Sequence, residues 1–343
     1  MKTRQFKTRS GTALAFTEMG FGTAPLGDLF KKLDEADAQN TVRAAYADGI
    51  RLFDSSPHYG NGLAEARVGA ALRDKPRDDL VISTKIGRVM DPFSPVAKPR
   101  ADVISPGFAG GFPHKASFDY SYDGTMRSVE QSLLRMGLGR IDILLIHDCD
   151  TWTHGKTDVE PRFKEAMEGA YKALDKLRRD GTVKAIGVGL NEADMCERFV
   201  KAGDFDVVLL AGRYSLLEQP ALASFLPLAL EKKVGVILAG VFNSGILATG
   251  AVPGAKYNYS AASPEIMDRV GKIEAVCKAH GVSIRQAALR FAFLHPAIVS
   301  VLLGAETAAE IRANAADIDT PVPDALWKDL KSQGLLQAEA PTP

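Results

Sequence analysis

Four residues of this chain have the types needed to move a proton to or from a carbon-bound oxygen. Asp54 and Tyr59 both lie in RLFDSSPHYGNG (51–62), Lys85 lies in LVISTKIG (80–87), and His147 lies in IDILLIHD (141–148). A tyrosine of ordinary pKa near 10 is a poor acid or base at neutral pH, but a nearby lysine ammonium lowers that value. A carboxylate beside the lysine would hold it charged and oriented, and a histidine at hydrogen-bond range would polarise a substrate oxygen. Taken singly, Asp54 also suits a turn cap, Lys85 a pair with any carboxylate, and His147 a satisfied core position. As a set they share one feature: each stands at or just past the end of an apolar run.

Those runs are what must position them. Eight are nearly continuous in apolar residues, at 16–23, 50–55, 80–87, 141–148, 183–190, 206–212, 234–240 and 298–304. That pattern predicts strands of a parallel sheet covered on both faces. Helical stretches alternate with them, with Asp34 and Asp123 as N-caps and Gly49, Gly137 and Gly181 as stops. The alternation predicts a (β/α)8 barrel of α/β class, with a doubly wound sheet as the alternative. No composition break divides the chain, so one domain over 1–343 is expected, with a core at about 6–330. The first dozen residues predict a short hairpin over the barrel bottom, and the tail QAEAPTP is expected to fray. Three connections, 88–120, 149–162 and 241–264, are too long for mere connectors. In a barrel all three rise from the C-terminal face, where barrel active sites sit.

Composition narrows the partners. Among 343 residues, 42 basic and 42 acidic side chains balance, and no basic run points to nucleic acid or an anionic membrane. No stretch approaches the roughly 18 apolar residues of a membrane helix, and the N-terminus lacks an apolar signal core. Cys149, Cys196 and Cys277 form no disulfide frame and suit a reduced, cytoplasmic setting. His147, Cys149 and His154 match no established metal-ligand spacing, so no metal is expected. The partner expected is a small molecule, with a monomer or dimer left open.

The combination FDSSPHYGNGLAEARVGAAL, STKIG and LLIHD resembles the aldo-keto reductase superfamily from about Phe6 to Leu330. That resemblance implies a barrel and a catalytic tetrad of Asp54, Tyr59, Lys85 and His147. It also implies a nicotinamide dinucleotide bound without a Rossmann domain. GFGTAP and GVGLNE each lack the third glycine of the usual dinucleotide fingerprint. GFGTAPLGDLF and AGVFNSGILATG are similar, more narrowly, to a bacterial branch of D-threo-aldose (L-fucose) 1-dehydrogenases and pyridoxal 4-dehydrogenases.

The resemblance places coenzyme contacts on Gly22, Thr23, Ala24, Asp54, Asn191, Phe242, Asn243, Ser244, Gly245 and Leu247. Beyond the last strand it adds Gly304, Ala305, Glu306, Thr307, Glu310 and Asn314. NADP-dependent members carry a lysine and an arginine where this chain has Gly304 and Glu310. A carboxylate repels a 2′-phosphate and accepts hydrogen bonds from a free ribose diol, which favours NAD over NADP. The serine–asparagine pair that holds the carboxamide falls on Gly189 and Leu190, with Asn191 next in line. The strand-six glutamine position carries Ala211. The aromatic that stacks on nicotinamide aligns with Ala239, so either Phe242 substitutes or the ring is held differently. Leu29, Phe30, Phe118, Trp152 and Asn243 are the substrate-pocket candidates, beside Tyr59 and His147. The narrower resemblance implies a cyclic hemiacetal, a sugar or pyridoxal, oxidised to a lactone. An NADPH-dependent carbonyl reductase and a slow, coenzyme-binding regulatory subunit are the alternatives.

Overall fold

Each expected run forms a strand, trimmed at its ends. In the computed structural model, which describes residues 1–94 and 108–343, these are β1 (Met19–Gly22), β2 (Leu52–Asp54), β3 (Val81–Ile86), β4 (Ile143–His147), β5 (Ala185–Leu190), β6 (Val207–Ala211), β7 (Gly235–Ala239) and β8 (Ile298–Leu303). They pair in parallel and in chain order, and β8 closes onto β1 through Val301–Met19, Leu302–Gly20 and Leu303–Phe21. The architecture is therefore the closed barrel and not the doubly wound sheet.

Burial explains the sequence pattern. One apolar cluster lies between the strands and the surrounding helices. A second fills the barrel interior, where Leu52, Ile143, Leu145, Val207 and Ile237 meet Leu14 and Phe16. Those last two belong to the N-terminal hairpin, Thr3–Lys7 paired antiparallel with Ala13–Thr17. Phe6 of the same hairpin abuts Gly235 at the start of β7, so the hairpin closes the N-terminal mouth as expected.

Several local expectations need correction. Ser121, not Asp123, caps the helix Tyr122–Met136, accepting from the Gly124 amide at 3.0 Å. Asp123 sits in that helix's first turn, where a carboxylate still favours the dipole. The connection 149–162 is mostly helix, Thr151–Glu165, started by Asp150 accepting from the Thr153 amide at 2.9 Å and bent at Gly155. The 88–120 segment begins and ends in a hairpin, Arg88–Asp91 against Lys115–Phe118, while its stretch 95–107 lies outside the described residues. The 241–264 segment holds a tight turn at Asn243–Gly245, a helix at Ile246–Thr249 and the small hairpin Lys256–Tyr257 with Ser260–Ala261. In the tail QAEAPTP, Ala340 is buried and its carbonyl accepts from Lys331 Nζ at 2.8 Å, while Gln337, Ala338, Glu339 and Pro343 are exposed.

Candidate active site

Asp54 is the last residue of β2, Lys85 the fifth of β3's six, and His147 the last of β4. Adjacent strands thus bring the three to one rim. Lys85 Nζ lies 2.6 Å from Asp54 Oδ2 and donates to the Ser55 carbonyl at 2.8 Å, while Ser83 Oγ donates to Asp54 Oδ1 at 2.8 Å. Tyr59 arrives from the turn after β2, where its amide donates to Ser56 O at 3.1 Å. Gly60, Asn61 and Gly62 then all take left-handed backbone (φ 62°, 52° and 97°), which explains the composition of YGNG. Lys85 Nζ sits 4.9 Å from the centre of the Tyr59 ring, and the Tyr59 and His147 rings meet edge to face at 6.1 Å. The four residues surround one point.

Electrostatics decide their protonation. Burial acts to neutralise Lys85, but the Asp54 carboxylate and Tyr59 outweigh it and hold the ammonium above its ordinary value. Burial pushes the Tyr59 hydroxyl up to about 12, even though Lys85 pulls it down. The expectation that lysine lowers this tyrosine is right in sign for the pair but wrong for the sum. His147 is held well below its ordinary value by burial, with Lys85 and Arg88 adding repulsion. It is a neutral imidazole at physiological pH.

These groups line the wall of a cavity of about 1020 Å³ at the C-terminal face. Of the expected coenzyme residues, Gly22, Ala24, Asp54, Asn191, Phe242, Asn243, Ser244, Gly245, Gly304, Ala305, Glu306 and Glu310 line it. Thr23 and Leu247 are buried beside it, and Thr307 caps a helix by accepting from the Glu310 amide at 3.3 Å. Asn314 is buried, with Arg285 donating to its Oδ1 at 2.6 Å. Leu29, Phe30, Phe118, Trp152 and Asn243 all line the cavity, with Phe30 and Trp152 partly exposed at its mouth. Phe242 lies beneath Arg285, whose guanidinium carbon is 5.9 Å from the ring centre. The same Arg285 donates to Asn314, so Phe242 and Asn314 share one cation.

The cavity also contains residues the sequence reading passed over. Arg88, Asp148, Arg213 and Tyr259 line it. Arg213 spans the ends of β5 and β6, donating to the Asn191 carbonyl at 2.8 Å and pairing with Glu218 at 3.0 Å. Asp148 directly follows His147, so its position was readable from LLIHD. Arg213 and Tyr259 lie on loops with no such signal.

Residues 18–333 match the profile described as the aldo/keto reductase family. The chain belongs to the aldo-keto reductases. It is 38% identical over 98% of its length to a pyridoxal 4-dehydrogenase from Microbacterium luteolum, covering 99% of that protein. It is 36% identical over 97% of its length to a D-threo-aldose 1-dehydrogenase from a Pseudomonas species, covering 98% of it. Its fold is similar to that of an aldo-keto reductase from Bacillus halodurans, with a TM-score of 0.74 at 22% identity over 99% of this chain and 98% of that one. The protein is accordingly an NAD(P)-dependent oxidoreductase acting on CH–OH groups.

The residues present fit such a coenzyme. A methyl group added at Gly245 would meet nothing within 4 Å, so the backbone there is open to a close-lying group. Asn243 is buried at the cavity with its Oδ1 lacking a hydrogen-bond partner, although its Nδ2 donates to Glu218 at 3.0 Å. Among the described residues no helix is long and apolar enough to cross a membrane, and no group of three or more His, Cys, Asp or Glu is arranged to hold a metal.

Proposed function

We propose that this aldo-keto reductase is an NAD-dependent dehydrogenase that oxidises a cyclic hemiacetal, a sugar or pyridoxal, to a lactone. The observation that carries the chemistry is the meeting of a buried Asp54–Lys85 pair, Tyr59 and a neutral His147 on one cavity wall. The dehydrogenase names of the two relatives favour oxidation of a hydroxyl as the working direction.

When bound, the nicotinamide coenzyme supplies the hydride acceptor. The chain's residues do the rest. His147 donates to the hemiacetal oxygen and orients it toward Tyr59, which takes the hydroxyl proton in its deprotonated, phenolate form. Lys85, kept charged by Asp54, stabilises that phenolate before the proton arrives and neutralises it. The cavity walls hold the reacting carbon in place, and proton transfer by a positioned side chain contributes about 10²–10⁴-fold.

Two carboxylates at the far end of the cavity support NAD. Glu306 and Glu310 both line it, and Glu310 Oε2 accepts from the Glu306 amide at 2.7 Å. One Glu310 oxygen is therefore committed within the chain, leaving the other to receive a ribose hydroxyl. A second reading, NADP with carbonyl reduction, is favoured by one observation: an exposed cation, Lys31, pairs with Glu306 beside Glu310 at this end of the cavity.

The test is the initial rate at 340 nm with L-fucose, other aldoses and pyridoxal, using NAD and NADP separately, on the native protein and on Tyr59→Phe. Fast NAD reduction that the variant loses is the expected result. Strong NADP preference overturns the coenzyme assignment, and no turnover with any pair overturns the dehydrogenase reading.

A further inference from the structure

Arg88 lies three residues beyond Lys85, at the start of the hairpin Arg88–Asp91/Lys115–Phe118, and is almost wholly buried. Its Nη1 is 3.3 Å from His147 Nδ1, its Nη2 is 2.8 Å from Asp148 Oδ2, and its guanidinium carbon lies 4.4 Å from the Phe118 ring centre. Asp148 Oδ1 in turn is 3.3 Å from His147 Nε2. Arginine and carboxylate together bracket the imidazole, one facing each ring nitrogen.

That bracket has a direction. A guanidinium can only donate, so Nδ1 must offer its lone pair to Arg88. Ser56 Oγ, 3.2 Å from the same nitrogen, accepts from the His58 amide at 3.0 Å and has its own proton free to give to Nδ1. On the other side Nε2 faces an acceptor, the Asp148 carboxylate. Arg88, which cannot accept, and Asp148, which cannot donate when ionised, therefore favour the proton on Nε2, and Ser56 can serve either tautomer. Asp148 reaches its place through a left-handed backbone (φ 52°), while its amide donates to Gly189 O at 3.1 Å.

We propose that Arg88 is a positioning residue for His147: by donating to Nδ1 while anchored on Asp148, it fixes the imidazole as the neutral Nε2–H tautomer, whose Nε2 stands 3.3 Å or more from any Asp148 oxygen and whose hydrogen bond passes to the substrate oxygen when one enters. The inference deepens the function proposed above and rests on its reading of His147. Among the described residues, the titratable and charged groups around the ring are Tyr59 and His58 from the turn after β2, Lys85 from β3, Arg88 from the hairpin, and Asp148. The Tyr120 hydroxyl donates to the His147 carbonyl at 2.7 Å. Lys85 and Arg88 are the cations among these groups, and both oppose protonation of His147. Removing Arg88 therefore takes away a repulsive charge, a donor to Nδ1 and the partner of Asp148 at once. All three changes favour the imidazolium.

The decisive experiment is a histidine 15N–1H NMR titration from pH 5 to 8 without substrate, on the native protein, Arg88→Met and Arg88→Lys. The His147 signals are assigned by their loss in His147→Asn. The native His147 is expected as a single Nε2–H tautomer that does not titrate. In Arg88→Met it should titrate within that window, moved up by about one unit or more, or show mixed tautomers. A native Nδ1–H tautomer, a native titration near the ordinary histidine value, or an unchanged His147 in Arg88→Met overturns the proposal. Should Arg88→Met not fold, Arg88→Lys decides. An ammonium keeps the charge but lacks the fork that reaches Nδ1 and Asp148 together, so mixed tautomers are expected and an unaltered tautomer overturns the proposal. Because no turnover is involved, a protein that behaves as expected here yet oxidises no hemiacetal refutes the functional reading alone.

Discussion

Lys85 Nζ and Asp54 Oδ2 lie 2.6 Å apart with both side chains at most 3% exposed. Two opposite charges so far from water are stable only together, since each alone would bear an uncompensated desolvation cost. Lys85→Met should therefore destabilise the fold by about 3–5 kcal/mol, because it strands the Asp54 carboxylate. The double variant Lys85→Met/Asp54→Leu should recover most of that loss while staying inactive. Urea unfolding of both proteins checks this. Equal instability in the single and double variants would show that packing, not charge, dominates at this position.

How much of this arrangement the sequence showed depends on the residue. The strands were legible because burial on both faces leaves continuous apolar runs, and a polar residue at the end of such a run stands out. That is how Asp54, Lys85 and His147 could be placed on one rim. Arg88 was not legible in this way. Its position depends on the pairing of Arg88 with Phe118 across an inserted hairpin, and register between distant segments leaves no local pattern. The helix Thr151–Glu165 was hidden by Gly155 and Pro161, which read as loop residues although the Asp150 cap starts the helix regardless. The net effect on the Tyr59 hydroxyl was beyond reach as well, because it weighs a neighbouring charge against burial depth.

The elevated Tyr59 hydroxyl has a pH consequence. With a value of about 12, the residue is protonated at neutral pH, and removing a substrate proton draws on its small deprotonated fraction. Across pH 6 to 10, kcat/KM for oxidation should rise steadily, approaching tenfold per unit, without a plateau. Tyr59→Phe should lose about 10²–10⁴-fold and flatten the profile. The sign for folding is opposite. A folded-state value above the ordinary 10 gives stability that is complete below about pH 10 and lost toward pH 12. A plateau in the native rate below pH 9 would show that the hydroxyl ionises far more readily than its burial implies.

Coenzyme choice is separable by two surface changes. Glu310→Lys replaces a repulsive charge at the cavity edge with an attractive one, and should raise the NADP-to-NAD ratio of kcat/KM by on the order of tenfold or more. Lys31→Ala removes the cation paired with Glu306. Under the NAD reading it leaves NAD kinetics nearly unchanged, whereas under the NADP reading it weakens NADP binding strongly. Steady-state rates with each coenzyme at fixed substrate separate the two outcomes.

The turn that carries Tyr59 packs against its neighbour with no space to spare. A methyl group at Gly27 would come within 2.5 Å of the Tyr59 carbonyl carbon and 2.7 Å of the Gly60 nitrogen, both backbone atoms that no rotamer change can move. Gly27→Ala should therefore displace the Tyr59 turn relative to Lys85, costing about 1–3 kcal/mol of stability from overpacking. The effect on catalysis should be larger, since a displacement of about 1 Å at a reacting group lowers the rate on the order of 10²-fold. A thermal melt beside kcat at saturating substrate measures both. A folded Gly27→Ala protein with native kcat would mean that the turn absorbs the methyl group without moving Tyr59, and that the close approach of Gly27 to Gly60 serves packing alone.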